Sequence, residues 1–367
     1  MIFTLAWENV RFRPVRTLLS ILLLALPVTL ILTLIGLSNG VSGASAERLQ
    51  GVGADIMFRP PGSSVMGAMS GLPLPEKLVD TLGHEPHVTL ATGVGVQTFG
   101  VGGFDNVTGI DLDGFSRISG GFTLVEGRLF RNPGEIVLDR YYASQRHVHA
   151  GGRINVLNRD WLVTGIVEPG KLAHLFIPLH ELQDLVSASG KVSYIYLKLD
   201  NPANTDRVVA ALKAKYENYP VYSMREMLSL ISVDNVPMLK GFINAVIGLG
   251  ILIGFAVAFL AMYMAVLQRT REIGIFKSLG ATKGFIMGLI LAEALSLGLG
   301  GTILGIIFSF GTRWIMSVIQ PASLPEAIVP GWWPIAGLVV IGAALLGALY
   351  PGMMAVRQDP IEALAYE

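Results

Sequence analysis

Histidines are the residues in this sequence whose type and spacing come closest to a metal site. His84 and His87 are three residues apart, and His147 and His149 are separated by one residue. Either pair could bind a metal ion or a haem edge, but a structural zinc site takes four protein ligands and a catalytic one takes three. The chain contains no cysteine, and two histidines alone complete neither set. We therefore expect solvated histidines and no metal site.

Motifs for nucleotide chemistry are missing from the sequence. No G-x-x-x-x-G-K-[ST] occurs, so the chain has no P-loop that could hold the phosphates of ATP. Gly93-Val94-Gly95 lies among predicted strands with no helix after it, which does not fit a dinucleotide-binding fingerprint. The formal net charge is zero, so composition gives no attraction to nucleic acid. We predict no catalytic residues and no cofactor in this chain, and hence that it is not an enzyme.

One acidic residue lies inside a predicted membrane helix. Glu293 is about two turns into an apolar run that begins near residue 285. A charge there costs a few kcal/mol and normally faces other protein groups or water. The residue could pair with polar groups on neighbouring helices, or it could be a proton or substrate site. The sequence pattern alone leaves both interpretations open.

Hydropathy places much of the chain in a membrane. The 367 residues are 52% hydrophobic and 15% charged, with a mean hydropathy of +0.57, whereas soluble proteins have about 25% charged residues. A span takes about 20 apolar residues. The runs that meet this length predict transmembrane helices over residues 17–40, 238–267, 285–309 and 333–354. The first run could be a signal peptide, but it exceeds the usual core of about 7–15 residues, and we expect it to be retained.

A short basic segment, residues 268–284, separates the second and third predicted spans. Its charged residues are four basic side chains and one acid: Arg269, Arg271, Lys277, Lys283 and Glu272. An excess of Lys and Arg in a short loop indicates the cytoplasmic side of the membrane. The segment is therefore predicted to face the cytoplasm.

The same segment has the pattern of a short amphipathic helix. Ile273, Phe276 and Leu279 recur at helical spacing, and Gly280 follows where a C-cap glycine belongs. One interpretation is a docking helix whose apolar face, with these three residues as anchors, enters a groove on a partner. The other is a basic anchor that only fixes orientation, and the spacing favours neither.

The remaining regions follow from this topology. Residues 1–16, rich in arginine, predict a cytoplasmic amphipathic helix, and four spans bring the tail, 355–367, to the same side. Residues 45–235 contain no run that could span a bilayer and predict strands with helices over Leu179–Val186 and Thr205–Tyr216. The predicted fold class is an integral membrane α-helical protein with four transmembrane helices and a large extracytoplasmic α+β domain between helices 1 and 2.

Two glycine pairs lie in the predicted spans. Gly250 and Gly254 form a GxxxG pair in the second span, and Gly301 and Gly305 form one in the third. Such pairs allow helices to approach closely. Glycine is also simply frequent in membrane helices, so close packing and composition are equal alternatives.

The segment REIGIFKSLGAT, residues 271–282, closely resembles the cytoplasmic segment of the MacB/FtsX/LolC-type permeases of ATP-binding-cassette (ABC) systems. The C-terminal RQDPIEALAYE resembles the same family, and the stretch GEIVLDRYYASQRHVHAGGRINVLNRDWLVTGIV resembles its MacB-like periplasmic core domain. The resemblance implies a type VII ABC permease with four helices, located in the bacterial inner membrane with both termini in the cytoplasm.

The resemblance also implies partners and residue roles. An ATPase-coupling role is implied for Arg269, Arg271, Glu272, Ile273, Gly274, Phe276, Lys277, Leu279, Gly280 and Ala281. The implied partners are two ABC ATPase subunits that bind Mg-ATP, a second identical or paralogous permease and membrane lipid, with a periplasmic adaptor as a further candidate and no nucleic acid. Family members often have Glu at the position of Glu293, which favours a structural or coupling role for this residue.

Two functions are compatible with the resemblance. One is export or extraction of a lipophilic or amphipathic substrate, in which cytoplasmic ATP hydrolysis is transmitted mechanically to the outer domain. The alternative is an FtsX-like signal transmitter that activates a cell-wall hydrolase. FtsX-like members commonly have smaller outer domains than residues 45–235, so we favour transport.

Overall fold

The computed structural model describes residues 14–63, 71–99, 105–231, 237–268, 270–319, 322 and 325–357. The chain divides into two compact units. The helix bundle comprises residues up to 39, 237–315 and from 326 onward, and the inserted domain comprises residues 40–236 and 316–325. Most of the predicted N-terminal helix (1–16) and most of the predicted tail (355–367) lie outside the described residues.

The first long helix, α1, runs without a break from Pro14 to Gln50. Pro27 lies inside it, as membrane helices tolerate. The helix continues for ten residues beyond the predicted end of the span at residue 40, and this extension belongs to the inserted domain. Hydropathy marks the apolar part of a helix only, whereas Glu, Arg and Gln residues favour helix without being apolar.

The inserted domain is built on a ten-stranded mixed sheet and a separate two-stranded pair, β2 and β10. The strands are β1 (Ile56–Phe58), β2 (Leu74–Pro75), β3 (Val88–Phe99), β4 (Asp105–Ile110), β5 (Leu124–Gly127), β6 (Glu135–Asp139), β7 (Arg153–Val156), β8 (Arg159–Val167), β9 (Leu175–Pro178), β10 (Lys191–Val192), β11 (Tyr194–Leu199) and β12 (Val221–Ser223). The sheet order is β12-β1-β11-β3-β4-β9-β6-β8-β5, with β7 paired to β8. The β4–β9 and β6–β8 pairs are parallel, and the other pairs are antiparallel.

Short helices pack on this sheet. They are α2 (Lys77–Gly83), α3 (Leu112–Ser119), α4 (Arg140–Arg146), α5 (Leu179–Leu185), α6 (Thr205–Lys215) and α7 (Met224–Leu230). Side chains cap three of their N-termini: Asp111 accepts from the Gly114 amide, Asp139 from Tyr142, and Ser223 from Glu226. These are the residue types that satisfy the free N–H groups of a first turn.

The remaining helices form the bundle with the first part of α1. They are α8 (Pro237–Gln268), the short α9 (Thr270–Ser278), α10 (Lys283–Ile319) and α11 (Trp332–Arg357). Four helices are long and apolar enough to cross a membrane: Thr17–Gln50, Gly241–Gln268, Lys283–Ile319 and Trp332–Arg357. The predicted fold class, four membrane helices with a large α/β domain between the first and second, is confirmed.

Helices α1 and α10 approach each other closely at one of the predicted glycine pairs, which lies on α10. A Cβ atom added to Gly305 would lie 2.6 Å from the Val28 Cβ and 2.8 Å from the Ala25 oxygen. One added to Gly301 would lie 2.6 Å from the Leu24 Cβ. The Thr29 hydroxyl lies 3.1 Å from the Gly305 carbonyl oxygen, to which it can donate. This interface therefore needs glycine at both positions.

The other predicted pair lies on α8 and faces two different helices. A Cβ atom at Gly250 would lie 3.3 Å from the Ile31 Cδ1 on α1. One at Gly254 would lie 3.3 Å from the Ala343 Cβ on α11. These distances are looser than those at Gly305, so a small side chain here would require only a small shift.

Candidate functional site

The predicted cytoplasmic segment forms α9, which connects α8 to α10. The buried Thr270 side chain donates back to the last turn of α8, with its hydroxyl 3.0 Å from the Leu267 carbonyl oxygen. Arg269, one of the predicted coupling residues, lies outside the described residues. The remaining predicted coupling residues, 271–281, fall in α9 and in the turn that follows it.

Gly280 ends α9 in the conformation that the sequence predicts, with φ of +90°. The Ala281 amide donates to the Phe276 carbonyl at 2.9 Å, and the Gly280 amide donates to that of Lys277 at 3.0 Å. These two bonds are those of a Schellman motif, whose left-handed residue is normally glycine. The next helix starts at once, since the Thr282 hydroxyl accepts from the Phe285 amide at 3.2 Å and caps α10.

One face of α9 packs into the bundle. Ile273 is only 8% exposed and shares a hydrophobic core with Ile286 and Ile290 of α10, and Gly274 beside it is buried. Phe276 is half-buried with its ring edge-on to Phe285, 6.4 Å between centroids. Ile273 therefore lies in the core of its own bundle, and its predicted anchor role in a partner groove stays a prediction.

The opposite face of α9 is exposed. Leu279 is 79% exposed, Ile275 is 43% exposed, and Arg271 is also exposed. Arg271, Ile275 and Leu279 follow one another at intervals of four residues, so they form one stripe along the helix, which we call the outer stripe. Ile275 was not among the predicted coupling residues, although its spacing of four from Arg271 and Leu279 could have identified it.

Lys277 ties α9 to the end of the last helix. Its ammonium group donates to the Val356 carbonyl oxygen at 2.8 Å. Val356 is in the last turn of α11, where carbonyl groups lack partners within the helix and a positive charge is favourable. The lysine therefore joins α9 to α11 from inside the bundle and is not only a topological charge.

A cavity of about 70 Å³ lies behind α9. Glu272 of α9 and Glu293 of α10 both line it, with Phe276 and Met262 among its apolar walls. Glu293 is half-buried, and both carboxylates have interactions within the protein. The cavity therefore places one acidic side chain of α9 and one of α10 at the contact between these two helices.

The extension of α1 is fastened to the inserted domain by a polar cluster of three residues. The Arg48 guanidinium lies 2.9 Å from His174 Nε2, and His174 Nδ1 lies 2.5 Å from the Asp139 carboxylate. Asp139 is fully buried at the end of β6. The Leu172 amide also donates to the Arg48 carbonyl oxygen at 2.8 Å. Sequence spacing gave no signal for this Arg48–His174–Asp139 cluster, whose members are up to 126 residues apart.

Comparison with known families assigns the chain. The model for the MacB-like periplasmic core domain matches residues 17–215, and the model for the FtsX-like permease C-terminal region matches residues 244–360. The chain belongs to the MacB/FtsX-like family of ABC transporter permeases.

Curated relatives of this permease carry consistent names. An uncharacterized ABC transporter permease, YknZ of Bacillus subtilis, is 31% identical over 56% of this chain and 52% of its own, so the match spans about half of that relative. An uncharacterized ABC transporter permease of Methanocaldococcus jannaschii is 21% identical over 100% of this chain and 98% of its own. The macrolide export ATP-binding/permease protein MacB of Photorhabdus laumondii is 22% identical over 99% of this chain and 60% of its own.

A solved structure shows a weaker likeness. The periplasmic region of MacB from Actinobacillus actinomycetemcomitans is 17% identical, with a TM-score of 0.37, over 50% of this chain and 95% of its own. This likeness is too weak to support an argument, and the assignment rests on the family models. The four apolar helices and the family together make the protein a multi-pass bacterial membrane protein.

The histidines of the permease contact polar groups near them. His84 Nδ1 lies 2.7 Å from the Asp80 carbonyl oxygen, and His87 Nδ1 lies 2.9 Å from the Asp200 carboxylate. His149 lies 3.4 Å from Glu126, whereas His147 ends α4 with φ of +52°. Within the described ranges, no group of three His, Cys, Asp or Glu residues is arranged to hold a metal ion.

Proposed function

We propose that this permease couples ATP hydrolysis on separate ATPase subunits to the export or extraction of a lipophilic or amphipathic substrate. In this proposal two permease chains pair through their membrane helices, two ATPase subunits bind Mg-ATP on the cytoplasmic side, and both permease termini face the cytoplasm. The outer stripe is the observation that carries it. A leucine that is 79% exposed beside a second exposed aliphatic residue needs a partner surface.

Motion of α9 would pass into the bundle through contacts already described. A partner that displaces the outer stripe also moves Ile273 in the core and Lys277 on α11. The core around Ile273 includes α10, which packs tightly on α1 through Gly305. The α1 helix continues to Arg48, which holds His174 and Asp139 of the inserted domain. These contacts support a mechanical relay from the ATPase to the inserted domain.

Replacing Leu279 with Asp tests the docking step. A buried charge without a partner is costly, and loss of a central interface anchor typically weakens binding by 2 kcal/mol or more. We expect at least roughly 30-fold weaker co-purification of the cognate ATPase and loss of transport, with normal membrane insertion. Ile275→Asp should behave in the same way.

Leu124→Asp is the matched control, since Leu124 is an exposed leucine on β5 of the inserted domain. It should leave ATPase binding unchanged. Wild-type ATPase binding and activity in Leu279→Asp would contradict docking and leave α9 as a basic anchor only.

The FtsX-like alternative has a separate test. In membranes containing the permease and its ATPase, lipophilic amphiphiles should stimulate ATP hydrolysis if the protein is a transporter. Stimulation by a soluble cell-wall hydrolase, with none by amphiphiles, would instead support the signalling function.

A further inference from the structure

A second site lies at the end of the bundle opposite to α9. The chain that leads into α11 folds back onto α1, where the Ala327 amide donates to the Gly36 carbonyl oxygen at 2.9 Å. A Cβ atom at Gly36 would lie 2.8 Å from the Ala327 oxygen and 2.9 Å from the Glu326 Cγ. The glycine therefore allows the backbone to hold Glu326 against the helix.

Glu326 lines a small cavity together with Arg313, Phe310, Trp332 and Trp333. The cavity volume is about 20 Å³, enough for one water-sized group. The Glu326 Oε2 atom is buried there without a hydrogen-bond partner among the described residues. Burial raises the pKa of this carboxyl group to about 7, although the positive charge of Arg313 opposes the shift. An oxygen of a carboxylate that is buried without a hydrogen-bond donor has a desolvation cost, which a bound group with N–H donors would offset.

The cavity lies at the level of the lipid headgroups in a bilayer. Arg313 is 30 residues along α10 from Lys283, which is about 45 Å of helix, and a bilayer with its headgroups is about 40–45 Å thick. Tryptophan is the typical residue of this depth, and here Trp333 packs edge-on to Phe310 at 5.9 Å. The cavity therefore opens where phospholipid headgroups are.

The charges match a zwitterion. Inside the cavity, Glu326 would accept hydrogen bonds from an ammonium group of about the size of water. Outside it, the exposed guanidinium of Arg313 would pair with a phosphate. Choline has no N–H to donate to Glu326, and glycerol has no positive charge.

We propose that this cavity binds the headgroup of a phospholipid with a primary amine, of the phosphatidylethanolamine type, with the ammonium on Glu326 and the phosphate on Arg313. The site is independent of the proposed transport function, because it requires only that the bundle lies in a bilayer.

Lipid retention tests the site. The full-length permease would be reconstituted in nanodiscs of equal parts phosphatidylethanolamine, phosphatidylcholine and phosphatidylglycerol, then extracted gently and weighed by native mass spectrometry. We expect wild type to retain phosphatidylethanolamine about tenfold over phosphatidylcholine. Glu326→Gln should abolish this preference, whereas Arg313→Gln should lower the retention of all three lipids, because each of them carries a phosphate. Glu217→Gln, which changes an exposed carboxylate of the inserted domain, should keep the wild-type preference.

Two further measurements keep the test decisive if a variant folds poorly. In wild type, phosphatidylethanolamine with brominated chains should quench tryptophan fluorescence more than its choline counterpart. Retention should also be lower at pH 5 than at pH 8, because protonation of Glu326 removes its charge, and among the described residues Arg313 is the only other charged one that lines the cavity. Equal retention of the three lipids, equal quenching, or no effect of pH would overturn the proposal.

Discussion

Different interactions stabilise the interior of the helix bundle and the interior of the inserted domain. In the bundle, α10 lies so close to α1 that only glycine fits at Gly305, and the Thr33 and Thr312 hydroxyls bond across the same interface at 2.8 Å. In the inserted domain, the buried Glu135 carboxylate accepts from Arg128, from two backbone amides and from Asn132. In a bilayer the hydrophobic effect does not drive apolar helices together, so close van der Waals packing must stabilise the contacts between them. A domain in water can bury charge within a network that satisfies it.

Gly305→Leu should have the largest effect, because it directly disrupts the close contact between α10 and α1. A Cβ atom alone would overlap Val28 and the Ala25 carbonyl, both of them parts of a helix that cannot yield locally. Overpacking costs about 1–3 kcal/mol when neighbours can adjust and more when they cannot. We expect loss of monodisperse permease in detergent, measured by size-exclusion chromatography and thermal unfolding.

Gly311→Leu is the matched control for Gly305→Leu, since Gly311 lies on the same helix and a Cβ atom there meets nothing within 4 Å. It should leave the protein monodisperse. Equal damage from both variants would mean that added bulk on α10, and not its contact with α1, is what matters.

Glu135→Gln attacks the polar network of the inserted domain. The Arg128 guanidinium and the other donors hold the pKa of Glu135 well below its usual value of 4.5. The carboxylate therefore stabilises the folded state fully above pH 4.5, and this contribution is lost as the pH falls below that value. The amide keeps the shape but loses the charge, and we expect a loss of about 2 kcal/mol at pH 7.

Unfolding of the full chain should show this difference shrinking as the pH is lowered below 4.5, because wild type then loses the same contribution. Glu217→Gln again serves as the control and should change the unfolding free energy little at any pH. A difference between wild type and Glu135→Gln that stays constant with pH would show that packing, not charge, explains the loss.

The contrast between the helix bundle and the inserted domain also explains which features could be predicted from the sequence. Spans follow from composition, so four membrane helices were predicted. Both α1 and α10 run ten residues past the predicted ends at 40 and 309. In α1 this extension includes Glu47, Arg48 and Gln50, which favour helix without being apolar. Strand β9 was missed, since its four residues have no alternation of their own and its parallel partner β4 is distant in sequence. The Arg48–His174–Asp139 cluster depends on three distant elements meeting and leaves no local pattern.

The face of α9 shows a related limit of sequence reasoning. Apolar residues occur on both sides of this helix, so periodicity identified a helix but not its orientation. Residues 273 and 275 are both isoleucines, yet Ile273 is 8% exposed and Ile275 is 43% exposed. Only the position of α10, whose core includes Ile286, decides between them.

Among the three substitutions, Lys277→Met should have the smallest effect. It tests the comparison between the two units most directly, because it removes a charged contact from inside the bundle. Methionine keeps the apolar stem but cannot donate to the Val356 carbonyl, and a hydrogen bond from a charged group is worth about 1.5–3 kcal/mol when well shielded. Lys277 is only half-buried, so we expect the free energy of unfolding to fall by about 1 kcal/mol and ATPase-driven transport to fall several-fold, with normal insertion.

Lys283→Met is the control, because it removes one positive charge from the same segment at an exposed position. If the segment were only a basic anchor, the two variants would disturb insertion equally and transport per inserted molecule would not change. If Lys277 transmits motion from α9 to α11, transport per inserted molecule should fall in Lys277→Met alone, measured against the amount of permease in the membrane.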